Sequence, residues 1–277
     1  MKRALTILMA ATLALGFYAC AGKTPTGNTE PTEPTETAEP AETTEDAAPV
    51  WTWETRTSET AYTAEDGTEV ARRRYELPYL TYSGSETAER DAVRDTFNDA
   101  MDQVVADSEQ LDLEEVGREN YAWSTETGIE FIPCLDEFSA TDVYQNGALL
   151  SVSGVGSSMT GGAHPTNYLM AWNYDLDEGR FFTLSDLSDD PAALRAAIAE
   201  DILAQIDAEG NADWYFPEYQ DTVRGMEDFN VFFDAEGMTV WFSEYDIAPH
   251  AAGIPTFRIS ADTLAPHLNA YARQLLS

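Results

Sequence analysis

The chain has 277 residues, with 50 Asp and Glu against 15 Lys and Arg, three His and two Cys, for a formal net charge of −35. Nucleic acid and anionic lipid surfaces repel so acidic a chain, which argues against both as partners and leaves cationic ligands as the complementary class. Two cysteines give no disulfide framework, and an acidic surplus also serves to keep an exported domain soluble.

Met1-Lys2-Arg3 precedes an unbroken small and apolar run from Ala4 to Ala19. A basic start, a short apolar stretch and a small residue before the cut are the parts of a secretory signal, and the run falls short of the roughly 20 apolar residues of a spanning helix. Phe17-Tyr18-Ala19-Cys20 fits a bacterial lipoprotein box at its two positions nearest the cut and departs at the outer two. Residues 1–19 are therefore read as a lipoprotein signal peptide with lipidation at Cys20; a free secreted form cut near Ala21 is the alternative. Residues 21 to 50 are nearly all Thr, Pro, Glu, Ala and Gly, with Glu30, Glu33, Glu36, Glu39 and Glu42 three apart. Such a segment buries too little apolar surface to offset its chain entropy, so residues 20–50 read as a lipidated cysteine and a disordered linker. The expected location is the extracytoplasmic face of a membrane, at the cell surface or in the periplasm, with the membrane reached through the lipid anchor.

From Trp51 the composition turns globular and aromatic, with all six Trp, 43 acidic residues and 12 Arg. Trp51 to Tyr62 and Val70 to Tyr82 alternate around Ala64-Glu65-Asp66-Gly67 and predict a hairpin. Glu86 to Glu109 has helical spacing at Val93, Phe97, Met101, Val104 and Val105, with Ser85 placed to cap. A strand-rich block is predicted from about Tyr121 to Asp175, in which Ala148 to Val155 follows the Gln145-Asn146-Gly147 turn and pairs with Thr166 to Tyr174. Asp190-Pro191 opens a helix over Ala192 to Ala208. Phe229 to Phe233 and Met238 to Phe242 flank Asp234-Ala235-Glu236-Gly237 as a second hairpin. An extended segment near Phe257 to Ile259 and a closing helix from Ala261 to Leu276 complete the chain. The order predicts an α+β fold of mostly antiparallel sheets with packed helices.

Three stretches carry a family resemblance. Gly161-Gly162-Ala163-His164, then Asn173-Tyr174-Asp175-Leu176-Asp177-Glu178-Gly179-Arg180 with Thr183-Leu184-Ser185-Asp186-Leu187, and then Tyr245-Asp246-Ile247-Ala248-Pro249-His250-Ala251-Ala252-Gly253 resemble the RsiV/PdaC-like proteins. Residues 51–150 look like the PdaC-like part, domain of unknown function 4163, and residues 151–277 like the RsiV-like domain of unknown function 3298. The family usually has Tyr where this chain has His250. Its members include the extracellular domain of a lysozyme-binding anti-sigma factor and a domain appended to a peptidoglycan deacetylase. The deacetylase's Asp-Asp and His-x-x-x-His metal ligands do not occur together here. The resemblance implies a non-catalytic binding or sensing module in the cell envelope, for lysozyme or another cationic envelope-directed protein, or for wall glycan or peptidoglycan.

The residues expected to contribute to binding are His164, Asn173, Tyr174, Asp175, Tyr245 and His250. His164, His250 and His267 lack short ligand spacing, and Asp175, Asp177 and Glu178 lack EF-hand spacing, so no metal and no cofactor is expected. Gly-x-Ser-x-Gly and a Gly-rich phosphate loop are both missing. The alternative is an envelope hydrolase, acting on peptidoglycan or an ester, with a site near His164 paired with Asp175. Cys134, within Phe131-Ile132-Pro133-Cys134-Leu135, reads as a buried small apolar residue.

Overall fold

The computed structural model describes residues 48–277. The signal peptide, Cys20 and most of the linker lie outside these residues. Strands β1 (Val50–Thr63) and β2 (Glu69–Ser83) form the first expected hairpin, with Trp51 opposite Tyr82 and Tyr62 opposite Ala71. Helix α1 (Ala88–Ser108) follows and buries Phe97 and Met101. Its cap is Thr87 and not Ser85: Thr87 is extended, immediately precedes the helix and accepts from the Arg90 N–H at 3.2 Å.

Helix α2 (Leu113–Thr127) occupies the start of the block expected to be strands. It buries only Leu113, Gly117 and Ser124, so no apolar stripe marks it in the sequence. Its signals are at the ends: Asp112 accepts from the Glu115 N–H, and Gly128 closes it with a left-handed φ of 69°. Gly117 is needed because a Cβ there would lie 2.6 Å from the Val70 carbonyl oxygen of β2. The two helices supply the crossover that a parallel pair requires, and β3 (Cys134–Asn146) runs parallel to β2, Ala71 facing Cys134 and Glu76 facing Ser139.

The remaining strands of this sheet, β4 (Leu149–Met159), β5 (Thr166–Asp175) and the short β6 (Arg180–Phe181), pair antiparallel, for an order β1-β2-β3-β4-β5-β6. Residue 150 falls within β4. Helix α3 (Pro191–Glu209) is capped by Asp190 and buries Leu194, Ile198, Ile202 and Ile206 completely, a spacing of four that lines one face. After α4 (Tyr219–Gly225), the strands β7 (Asn230–Asp234), β8 (Gly237–Trp241) and β9 (Thr256–Ile259) form a second antiparallel sheet in chain order. The closing helix is two short ones, α5 (Ala261–Leu264) and α6 (Ala270–Leu275). Pro266 sits between them, without an N–H and hostile to helix before it, and Asn269 restarts the helix by accepting from the Ala272 N–H at 2.8 Å.

Among the described residues three apolar clusters result, the smallest of which packs Leu113 of α2 with Ala71 and Cys134; the other two are larger. One packs α1 against β2, β4 and β5; the other surrounds α3 with β7, β8, β9 and α6. A buried polar link joins the sheets: the Ser151 hydroxyl donates to Asn173 Oδ1 at 2.8 Å and accepts from the Phe233 N–H at 2.9 Å, while Asn173 Nδ2 donates to the Val231 carbonyl at 2.8 Å. The architecture is mixed α+β with mostly antiparallel sheets, as the element order predicted. Among the described residues no helix is long and apolar enough to cross a membrane.

Candidate functional site

After β8, the chain makes a turn over Ser243 to Asp246 in which the Ser243 N–H donates to Asp246 Oδ2 at 2.8 Å. Ile247 then plunges into the larger core at 0% exposure, and Ala248 beside it is buried at 1%. This anchoring leaves the residues on either side at the surface. Tyr245 is 50% exposed and has a φ of 71°, the only positive φ outside glycine among the described residues. A bulky side chain in that region is held against about 1–3 kcal/mol of strain by its surroundings.

The β4–β5 loop approaches from the other side, turning through Gly161 and Gly162, whose φ values of 115° and 104° suit glycine. It delivers His164 onto His250: the imidazoles are stacked with centroids 3.9 Å apart and planes 13° from parallel. Tyr245 also stacks near His250, at 6.2 Å and 20°. His250 Nδ1–H donates to Glu244 Oε2 at 2.9 Å, and Asn167 Nδ2 donates to Glu244 Oε1 at 2.9 Å. The Glu244 side chain is 1% exposed, whereas His250 keeps 29% of its side chain in solvent. Burial pushes the Glu244 carboxyl up, but the hydrogen bonds from His250 and Asn167 outweigh it and hold the group below the usual glutamate range. His164 itself donates from Nδ1 to the Pro165 carbonyl at 2.9 Å. The far nitrogens of both rings are thus left for other contacts.

Asn167 is also the end of a polar row across the outer face of the large sheet. Strand register sets Arg74 opposite Glu137, Glu137 opposite Ser157 and Ser157 opposite Asn167, a row about 15 Å long at the usual strand spacing. These residues, with Glu76, Ser139, Val155 and Gly156, line a groove of about 210 Å³. The inner face carries the matching row Tyr75, Phe138, Gly156 and Tyr168. There the Tyr168 hydroxyl meets the Tyr75 hydroxyl at 3.2 Å and Asp136 Oδ1 at 3.4 Å, and Asp136 is paired with buried Arg73 at 3.4 Å.

Asn173, Tyr174 and Asp175 lie elsewhere. They end β5, and Asp175 is nine residues beyond Thr166, about 30 Å along the strand. Asn173 belongs to the link between sheets; Tyr174 is fully buried and donates to the Val93 carbonyl at 2.7 Å. Asp175 is 3% exposed, and its Oδ1 accepts from the N–H groups of Asp177 and Glu178, fixing the turn into β6. These three hold the fold, and a pairing of His164 with Asp175 is out of reach. Cys134 is 1% exposed and accepts a hydrogen bond from Asn120 at 3.3 Å, with burial pushing its thiol up. Sequence reasoning missed Glu244, Asn167 and Glu137. For Glu244 a signal was available: an acid beside the Tyr245–His250 motif, after the β8 strand. For Glu137 there was none, because its row depends on the β3–β4 register, which shifts between Ala140 and Asp142.

Residues 184–262 match DUF3298, a protein family of unknown function. The matched stretch contains Glu244, Tyr245 and His250 and begins after His164. The chain is similar in structure to a DUF3298 family member from Bacteroides fragilis, at 18% identity over 79% of this chain and 94% of that one, with a TM-score of 0.60. It is also similar to a DUF3298 family protein from Pseudomonas aeruginosa, at 16% identity over 82% and 97% of the two chains, with a TM-score of 0.48. The first likeness shows a shared fold. No curated protein matches the chain.

Proposed function

We propose that this chain, which carries a DUF3298 domain over residues 184–262, is a cell-envelope lipoprotein held to an extracytoplasmic membrane face through Cys20. Its folded part is a non-catalytic binding module for a cationic envelope-directed protein such as lysozyme, in keeping with the RsiV/PdaC-like resemblance of its motifs. The observation that supports binding is where the motif residues meet. His164, Tyr245 and His250 form a surface stack beside a polar groove. Among the described residues, no Ser, Thr or Cys hydrogen-bonds to either imidazole, so neither is placed to activate a side-chain nucleophile.

Charge supports the sign of the partner. The 12 arginines from Trp51 on face 43 carboxylates, and many are already held: Arg72 by Glu59 and Glu69, Arg94 by Asp91 and Asp95, Arg258 by Asp234 and Glu236. The surplus is negative and steers a basic protein inward. Wall glycan is the competing ligand, since a sugar ring can lie on the same rings.

The test is retention of hen lysozyme on the immobilised chain. Retention at low ionic strength, with release as the Debye length shrinks to about 8 Å near 0.15 M salt and below, is expected, and Tyr245→Ala or His250→Ala should weaken it. No retention even at low salt contradicts the lysozyme reading, and retention of muropeptides alone replaces it with glycan. Turnover of muropeptides or esters that disappears in His164→Ala would favour an enzyme instead.

A further inference from the structure

We infer that the groove across β2 to β5 seats one lysine or arginine side chain of the cationic partner, with the Glu137 carboxylate as its counter-ion. The inference rests on the cationic-partner reading and places the contact within it. Arg74 stands directly opposite Glu137 in the β2–β3 register and is the natural partner for it. Its guanidinium instead reaches Glu76 at 2.7 Å and Glu59 at 3.6 Å. Among the described residues the Glu137 carboxylate therefore has no hydrogen bond and no ion pair, and Arg72, whose charge it feels, is held outward by Glu59 and Glu69. Of the charged residues that line the groove, Glu76 and Glu137 stand against Arg74, which leaves it negative and disfavours an anion.

The rest of the lining suits a basic side chain in particular. Val155 is 49% exposed and borders the groove, giving an apolar edge along which a methylene stem can lie while its charged head reaches a carboxylate. Asn167 gives its N–H to Glu244, which leaves its carbonyl oxygen as an acceptor. The Ser157 hydroxyl stands between Asn167 and Glu137 in the row. An arginine carries five donors and a lysine three, so carboxylate, hydroxyl and amide oxygens in one line match a basic head group. A volume of about 210 Å³ is below the roughly 300–1,000 Å³ of drug-sized sites, and fits one side chain better than a whole ligand. The buried Glu244 carboxylate, held by both Asn167 and His250, fixes the Asn167 end of the groove relative to the ring stack.

Two measurements test this separately from the reading it rests on. Titration of the ¹⁵N-labelled protein with argininamide should move amide resonances at Glu76, Glu137, Ser157 and Asn167 first, and Glu137→Gln should abolish that pattern. Shifts spread evenly over the carboxylates of the surface would overturn the inference. For lysozyme, Glu137→Gln should raise Kd about tenfold or more, the scale of a desolvated charge contact. Glu126→Gln, an equal change of charge on the exposed face of α2, should stay within about twofold, the scale of a screened surface charge. Val155→Trp, which fills the groove and keeps every charge, should weaken binding like Glu137→Gln; each variant is first checked for unchanged thermal unfolding. Equal losses in Glu137→Gln and Glu126→Gln, or a neutral Val155→Trp, would sink the groove while leaving the lysozyme reading standing. Argininamide binding in the groove without lysozyme retention would do the reverse.

Discussion

Replacing Gly156 with alanine should destabilise the protein by about 3–5 kcal/mol, because the new Cβ takes space that an aromatic ring already fills. It would fall 2.2 Å from Tyr168 Cζ, 2.3 Å from Cε2 and 2.6 Å from the hydroxyl. These are ring atoms near the backbone row, and the ring has to leave. With it go the Tyr168 contacts to Tyr75 at 3.2 Å, Asp136 at 3.4 Å and the Glu137 carbonyl at 3.3 Å, each worth about 1 kcal/mol. Overpacking a full interior adds about 1–3 kcal/mol, while a stiffer unfolded chain returns only about 0.4–1 kcal/mol. For a domain of this size the net loss lowers Tm by roughly 6–20 °C. Urea unfolding followed by tryptophan fluorescence measures it, and the double-mutant cycle isolates the cause: on a Tyr168→Ala background, Gly156→Ala should cost less than about 1 kcal/mol. A single variant within about 1 kcal/mol of the wild type, or an undiminished loss on the Tyr168→Ala background, would refute the reasoning.

Asn173→Ala removes the donor to the Val231 carbonyl and the acceptor of the Ser151 hydroxyl proton, and at about 1–3 kcal/mol for each unsatisfied group should cost roughly 2–5 kcal/mol in urea unfolding; a loss under about 1 kcal/mol would mean that the link between sheets is not held by this side chain. Burial pushes the Tyr75 phenol up to about 12, with the Asp136 charge adding to it and the Tyr168 hydrogen bond offsetting part. Folding holds the phenol neutral while the unfolded chain ionises near pH 10, so between pH 10 and 12 wild type should lose about 3 kcal/mol of stability that Tyr75→Phe does not lose; a constant difference between the two curves over that range would contradict it. Glu244 has the opposite sign. Its depressed carboxyl stabilises the fold above the unfolded value of about 4.3 and loses that effect as pH falls through its folded value. Glu244→Gln should be less stable than wild type at pH 7, with the gap closing below about pH 4; a gap independent of pH would show that the charge does not matter.

How much of this was legible in the sequence depended on whether the signal was local. The β1–β2 and β7–β8 hairpins were readable from Asp66-Gly67 and Glu236-Gly237 between alternating strands, and α3 from Asp190-Pro191 and its run of Leu194, Ile198, Ile202 and Ile206. Helix α2 was not, because its buried face holds Leu113, Gly117 and Ser124 and its stability comes from its caps and from lying close on β2. The break in the closing helix is marked by Pro266, which has no N–H and disfavours helix before it. His164, Tyr245 and His250 were found through their motifs, yet motif membership alone also brought in Asn173, Tyr174 and Asp175, whose side chains are consumed by buried hydrogen bonds. What joins Glu137, Ser157 and Asn167 is antiparallel register across β3, β4 and β5, shifted between Ala140 and Asp142, and Arg74 is added by a parallel pairing reached through two helices; neither leaves a trace in local spacing.

The most direct measurement of the central claim is hydrogen exchange of the chain with and without saturating lysozyme. Slowed exchange is expected in two separate stretches, Gly161 to Tyr168 and Ser243 to Gly253, together with Glu137 to Ser139 along the groove, and unchanged exchange in the turn from Asp175 to Arg180. Protection confined to that turn, or located away from the His164, Tyr245 and His250 stack, would contradict the assignment of this surface as the binding face.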